Sequence, residues 1–339
     1  MRVLVTGATG FIGAHTVDAL NRGGHEIEVF VRDKAKLDAA LEPFEARPVA
    51  VHVGDFADGA AITNALDGCD AVIHCAAKVS LDSSDAESMI ETNLRGTRNV
   101  LGSAVAAGID PIVHLSSITA VYPPSGHSIS PDDPVTKGLS AYGRSKAQCE
   151  TYARSLQADG HPVVIFYPGG VLGPHCAGSY EMLDGIRTMF GSPMLPIPRG
   201  GHTTIIDVRD LAEVIARTIE PGLGPRRFMA GGRWTSFQHW IDLLAQTSGR
   251  SFRTPALPGI VLRGFGRMAE QYASLRGSEP IMTYEQSVIM TRAAPCDDSA
   301  IFEQLDAVYR PLQETIEDVV RWAVKTGRIP VDSAPRLAD

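Results

Sequence analysis

The chain opens with a short apolar strand pattern that runs straight into three glycines spaced three apart, and that junction limits the folds available to it. Arg2, Val3, Leu4 and Val5 form a β-branched-rich run that reads as a buried parallel strand. Thr6-Gly7-Ala8-Thr9-Gly10-Phe11-Ile12-Gly13 then turns into a helical pattern marked by Ile12, Val17 and Leu20. In a strand, turn and helix of this kind an early glycine permits the turn, a middle one lets backbone N–H groups approach a pyrophosphate, and the last lets the helix pack on the strand. The helix N-terminus adds unpaired donors and positive dipole. Gly7, Thr9, Gly10, Phe11, Ile12 and Gly13 are therefore candidate dinucleotide-binding residues. The spacing is G-x-x-G-x-x-G rather than the commoner G-x-G-x-x-G, so a plain glycine-rich turn is the competing explanation.

The rest of the chain supplies the context. Strand patterns over 2–6, 26–31, 49–53, 71–75, 111–116 and 162–167 alternate with helical patterns over 11–23, 34–41, 58–67, 86–107 and 141–158. Such alternation predicts an α/β fold with a doubly wound, Rossmann-type parallel sheet covered on both faces. After residue 168 glycines and prolines crowd a stretch that reads as loops and short elements around a ligand, followed by helices near 208–219, 236–248, 284–292 and 312–326. We expect a dinucleotide-binding domain over 1–168, rejoined by part of 203–235, and a smaller C-terminal substrate-binding lobe within 169–339. Residues 257–276 have the pattern of an amphipathic helix lying on a membrane, but Gly259, Gly264 and Gly266 favour a substrate lid or a loose connector.

Composition removes several function classes. Acidic residues outnumber basic ones 39 to 31, a net charge of -8 with no basic run, which argues against nucleic acid as partner. The five cysteines are odd in number and lack C-x-x-C pairing, which fits a reduced cytoplasmic setting. Ten histidines without metal-ligand spacing predict no metal site. The first strand begins at once and no apolar run approaches the length of a membrane span, so a soluble chain with no stable membrane insertion is expected.

The second strand bears on which dinucleotide is held. An acidic residue at its end would take the ribose 2′-OH of NAD, whereas a basic one accommodates the 2′-phosphate of NADP. Here the strand ends Val29-Phe30-Val31-Arg32-Asp33-Lys34. NADP(H) is expected, with Arg32 as the main phosphate contact and Lys36 a turn away; NAD(H) is the alternative, in which Arg32, Lys34 and Lys36 merely start a solvated helix capped by Asp33. Asp55, next to Phe56, is either an acceptor for the adenine amino group or an N-cap. Cys75, Ala76 and Ala77 end the fourth strand, and the small alanines allow the backbone to lie along the cofactor's ribose; His74 and Cys75 themselves read as core.

Chemistry enters at Tyr142-Gly143-Arg144-Ser145-Lys146. The i, i+4 spacing puts both side chains on one helical face. A phenol of pKa about 10 becomes useful near neutrality when an ammonium favours its phenolate, and Lys146 is placed to provide that charge and to hold a ribose. A surface tyrosine beside a solvated lysine is the alternative. The pattern occurs once among the eight tyrosines, and it follows a strand ending in Ser116-Ser117.

Together with Ile206-Asp207-Val208-Arg209-Asp210-Leu211-Ala212, these motifs resemble the extended short-chain dehydrogenase/reductase superfamily, also called the NAD-dependent epimerase/dehydratase family. The resemblance spans essentially the whole chain. It implies a catalytic triad of Ser117, Tyr142 and Lys146, with Ser116 and Thr119 as alternative hydroxyls, and matches the family's Asn to Asn93, which on its own reading satisfies buried backbone groups. It also implies a nicotinamide wall at Tyr167-Pro168-Gly169-Gly170-Val171, where a plain turn is the alternative. The Phe-Asn pair of nucleotide-sugar enzymes is missing, and the chain is closer in style to dihydroflavonol reductases, cinnamoyl-CoA reductases and hydroxysteroid dehydrogenases. We therefore expect an NADP(H)-dependent reductase of a fairly apolar ketone or aldehyde, its pocket formed by 175–203 and 257–290, in a homodimer. A nucleotide-sugar epimerase or dehydratase with tightly bound NAD, and a non-catalytic redox sensor, are the alternatives.

Overall fold

The alternating apolar runs become a parallel sheet in a computed structural model, which describes residues 1–80, 85–124, 126–178, 180–192, 194–278 and 280–337. In chain order come β1 (Arg2–Thr6), α1 (Phe11–Arg22), β2 (Glu26–Val31), α2 (Lys34–Leu41), β3 (Ala50–Val53), α3 (Gly59–Ala65), β4 (Ala71–His74), α4 (Ala86–Ala106), β5 (Ile112–Leu115), α5 (Ala141–Ala158) and β6 (Val163–Pro168). There follow β7 (Gly170–Leu172), α6 (Glu181–Gly191), β8 (Ile197–Pro198), β9 (His202–Asp207), α7 (Val208–Ala216), β10 (Arg226–Ala230), β11 (Arg233–Ser236), α8 (Phe237–Ser248), β12 (Ala256–Leu257), α9 (Gly259–Arg276), α10 (Tyr284–Arg292), α11 (Ser299–Leu305) and α12 (Leu312–Lys325).

The main sheet is ordered β10-β6-β5-β4-β1-β2-β3, with every pairing parallel. Its strands are apolar on both faces because helices cover both. Val3 and Val5 of β1 join one buried cluster with α1, α2 and α7, whereas Leu4 joins the other beneath α3, α4 and α5. The chain moves outward from β1 to β3, then returns to β4 and runs the opposite way. The crevice between the carboxyl ends of β1 and β4 is thus the topological switch point, where open α/β sheets bind ligands.

Beyond β6 the chain is more regular than its glycines and prolines suggested. A smaller sheet pairs β9 with β7 in parallel and with β11 antiparallel, and α6 is a helix where loops were expected. The 206–212 motif serves packing here. Asp207 caps α7 and receives Arg209, which also reaches Asp318 on α12 at 2.6 Å, while Arg310 pairs with Asp210 at 2.8 Å.

Residues 259–276 form one uninterrupted helix, not a loose connector. Gly266 sits where α9 crosses α10, and a Cβ there would lie 2.8 Å from Ser287 Oγ and 2.9 Å from Thr283 O. The glycine is the condition of that crossing rather than a break in the helix. Of the expected pocket segments, Ser179, Pro193 and Glu279 lie outside the described residues. Among those described, no helix is long and apolar enough to cross a membrane, and no group of three or more His, Cys, Asp or Glu side chains could hold a metal ion.

Candidate active site

A groove runs over the switch point, lined among others by Gly7, Thr9, Gly10, Arg32, Phe56 and Ala76. Gly7 takes a φ of +81°, and a Cβ there would stand 2.6 Å from Ala76 N. A Cβ on Gly13 would lie 2.1 Å from Gly7 O, so the turn closes on itself only without side chains. Gly10 is the N-cap of α1 and no side chain caps that helix, which leaves the first-turn amides free for an anion. These bare amides and the closed glycine turn fit a dinucleotide's pyrophosphate.

The flanking candidates divide. Phe56, Cys75, Ala76 and Ala77 line the groove, and Phe56 fills space that Gly96 vacates. Burial pushes the Cys75 thiol up to about 12, so it stays neutral. Ile12 is half-buried and the Phe11 ring is buried against His15 and Tyr180, so Phe11 turns only its backbone toward the groove. Asp55 is exposed and accepts from Ala57 N at 2.9 Å, a local turn. Arg32 lines the groove with no ion pair among the described residues. Asp33 is committed as the cap of α2, accepting from Ala35 N and Lys36 N, and Lys34 is drawn off to Asp38 at 2.9 Å. The Lys36 side chain, exposed one turn into α2, has no such partner among the described residues.

Tyr142 and Lys146 lie one turn apart on α5, Tyr142 half-buried and Lys146 buried. Lys146 Nζ donates to Leu115 O at 2.8 Å at the end of β5. Burial lowers its pKa, with Cys149, Cys75 and Glu150 opposing. Two residues beyond Leu115, Ser117 Oγ accepts from Thr119 N at 3.2 Å and Thr119 Oγ1 at 3.0 Å. With both bonds incoming, its own proton is available to an acceptor. Ser116 is buried on the other side, its Oγ without a partner among the described residues, and Thr119 is spent on Ser117. Asn93 bonds Lys78 N and O at 2.7 and 2.9 Å and donates to Ser145 Oγ at 2.9 Å, tying α4 and a loop to the turn beside Lys146.

The segment expected to wall the nicotinamide, Tyr167 to Val171, is held by packing on both sides. The Tyr167 side chain is fully buried on the α5 side, its hydroxyl donating to Glu150 Oε1 and accepting from Arg154 at 3.0 Å. Pro168 and Val171 are buried within β6 and β7. The glycines between them answer to strand crossing: a Cβ on Gly169 would meet Thr204 Oγ1 at 2.7 Å, and one on Gly170 would meet Thr204 O at 2.9 Å.

Two contributors, Glu285 and His114, escaped sequence reasoning. Glu285 on α10 accepts from Leu139 N, Ser140 N and Ser140 Oγ, holding the start of α5. His74 and His114 pair in register on β4 and β5 with rings stacked 5.7 Å apart beneath Lys146. Burial drives both pKa values down, His74 to about 3, so the floor under the lysine is uncharged. No local pattern announces either; for His114 the sole available signal was its place inside an otherwise apolar strand.

Comparisons with known proteins bear on the fold and the family. Over 344 residues, 97% of this chain and all of the relative, the sequence is 26% identical to sterol demethylase protein B of Methylococcus capsulatus. It is 26% identical over 80% of each chain to 4-hydroxy-2-methyl-3-oxo-4-farnesyl-3,4-dihydroquinoline-1-oxide ketoreductase of Stigmatella aurantiaca. The fold matches that of UDP-glucose-4-epimerase from Stenotrophomonas maltophila, solved with bound NAD, with a TM-score of 0.76 and 18% identity over 97% of this chain and 99% of that one. A family model matches residues 3–231, from β1 to the end of the main sheet, and the chain belongs to the NAD-dependent epimerase/dehydratase family.

Proposed function

We propose that the protein is an NADP(H)-dependent oxidoreductase that reduces the ketone or aldehyde of a fairly apolar small molecule, or oxidises the corresponding alcohol. The observation that carries this is the buried Lys146 ammonium, fixed on Leu115 O one turn from Tyr142, with Ser117 held at the end of the same strand. A bound nicotinamide dinucleotide supplies or accepts the hydride. Gly7, Thr9, Gly10 and the first-turn amides of α1 hold its pyrophosphate, Phe56 and the Ala76-Ala77 backbone its nucleoside parts, and Lys146 a ribose. Ser117 donates a hydrogen bond that orients the substrate carbonyl. The Tyr142 hydroxyl gives its proton to the carbonyl oxygen as negative charge develops there, and the lysine cation stabilises the phenolate left behind.

For the choice of dinucleotide, Arg32 lines the groove with no ion pair among the described residues while the adjacent carboxylate, Asp33, is occupied as a cap, an arrangement that supports NADP(H). The ketoreductase and sterol demethylase relatives support an apolar carbonyl substrate. The outer faces of α4 and α5 are our candidate for a homodimer contact. The deciding experiment follows NADPH and NADH oxidation against ketones, aldehydes, acyl-CoAs and UDP-sugars. Net NADPH consumption with an apolar ketone, weakened in Arg32→Ala, is expected. Conversion of a UDP-sugar with no net redox change would assign the chain to the epimerases instead.

A further inference from the structure

α9 is apolar on the face that packs and apolar on the face that does not. Leu262, Gly266 and Ala273 are buried toward α10. The adjoining face, about a third of a turn round the helix, carries Val261, Phe265, Met268, Tyr272 and Leu275 in the open, Met268 68% and Leu275 87% exposed. Just past the helix Ile281 is 85% exposed. Contiguous exposed apolar surface of this kind marks an interaction site.

Charge indicates what covers it. Residues 250–292 carry six arginines and no lysine or aspartate against three glutamates, a local excess of three positive charges in a chain of net charge -8. Two of the glutamates are turned inward: Glu270 accepts from Tyr284 N, and Glu285 holds Ser140. Arg267 and Arg276 lie over the rings of Tyr284 and Tyr272, at 4.3 and 4.9 Å, beside the apolar stripe. We infer that α9 docks the protein reversibly on an anionic lipid surface, its apolar face entering the boundary between headgroups and acyl chains while the arginines meet lipid phosphates.

The spacing 261, 265, 268, 272, 275 would also suit a two-helix seam with a second copy. Such a pairing sets arginines against arginines, because the exposed face of α9 offers no carboxylate to answer them. α10 packs against α9 and, through Glu285, holds the turn that carries Tyr142, which ties the docking helix to the active-site helix. The further step, that the substrate arrives from the lipid phase, rests on the reductase reading; the docking does not.

The test is co-sedimentation of the full chain with vesicles of phosphatidylcholine alone or mixed with phosphatidylglycerol. Binding to the anionic vesicles, weakened by salt, is expected. Arg267→Gln with Arg276→Gln lowers the partition coefficient about tenfold or more, from about 1 kcal/mol per arginine near the surface. Met268→Ser with Leu275→Ser lowers it at least as much. Both pairs are exposed, so melting temperature and NADPH affinity stay as in the wild type, which separates this test from that of the reductase reading. The inference is overturned if the wild type stays in the supernatant with both vesicles at low salt. It is equally overturned if the apolar substitutions dissociate a dimer in sedimentation velocity while vesicle binding is absent.

Discussion

Ser140 donates its hydroxyl to Glu285 at 2.6 Å, so the first turn of the helix that carries Tyr142 is anchored by a residue 145 positions away. Gly143 N donates back to Ser140 Oγ at 2.9 Å, and a Cβ on Gly143 would stand 2.4 Å from the Glu285 carboxylate. Cap, glycine and carboxylate are one device. Replacing Glu285 with Gln puts an NH₂ group among incoming donors and loosens the turn. Turnover is expected to fall tenfold to a hundredfold, since about 1 Å of misplacement has such effects. NADPH affinity, set at the other end of the groove, changes less than twofold. Steady-state kinetics with a cofactor titration checks this, and unchanged turnover would detach Glu285 from the site.

Gly96 makes a second, independent prediction. A Cβ there would overlap Phe56 Cδ2 at 1.8 Å, and Phe56 lines the groove. Gly96→Ala therefore pushes the ring toward the cofactor. Overpacking of this kind costs about 1–3 kcal/mol of stability. The more telling expectation is a rise in the cofactor Kd of about tenfold, read by fluorescence titration of the folded variant. An unaltered Kd would mean that Phe56 relaxes away from the groove.

Tyr142→Phe keeps the ring and removes the proton. Turnover should drop by about 10²- to 10⁴-fold, the usual contribution of a general acid, while cofactor affinity stays within about twofold. Lys146→Met should lose both, because it also strips Leu115 O of its buried donor. Wild-type turnover in Tyr142→Phe would make the catalytic assignment wrong.

What was legible in the sequence is what local physics fixes. The glycine turn, the alternation that makes both sheet faces apolar, and the i, i+4 placement of Tyr142 and Lys146 each depend on neighbours a few residues away. The packing of Tyr167 to Val171 was not legible for the opposite reason. Gly169 and Gly170 are required by Thr204, and the Tyr167 hydroxyl by Glu150, contacts that only the folded chain brings together. α9 misled in the same way, since Gly266 is demanded by its crossing with α10 and carries no information about helix breaking. Glu285 had no local signature at all, and His114 only the apolar strand around it.

The buried histidines set an acid limit on the fold. His15 donates from Nε2 to Pro174 O at 3.0 Å, and burial lowers its pKa to about 4; His74 is lowered to about 3 and His114 well below its ordinary value. A base whose pKa is depressed by folding contributes stability that is complete above the unfolded value of about 6.5 and is lost as pH falls toward the folded value. Each imidazole removes about 1.4 kcal/mol per pH unit across that window. Asp298 works the other way: burial raises its pKa to about 6, so its contribution is present at low pH and lost as pH rises through 6. Between pH 6 and 5 the three rings outweigh Asp298, so unfolding takes up protons and stability falls as the pH drops. Urea unfolding at pH 7.5, 6 and 5 measures this, and His114→Phe should flatten the slope by about one proton. A stability independent of pH over that range would contradict the neutral, buried state of all three rings.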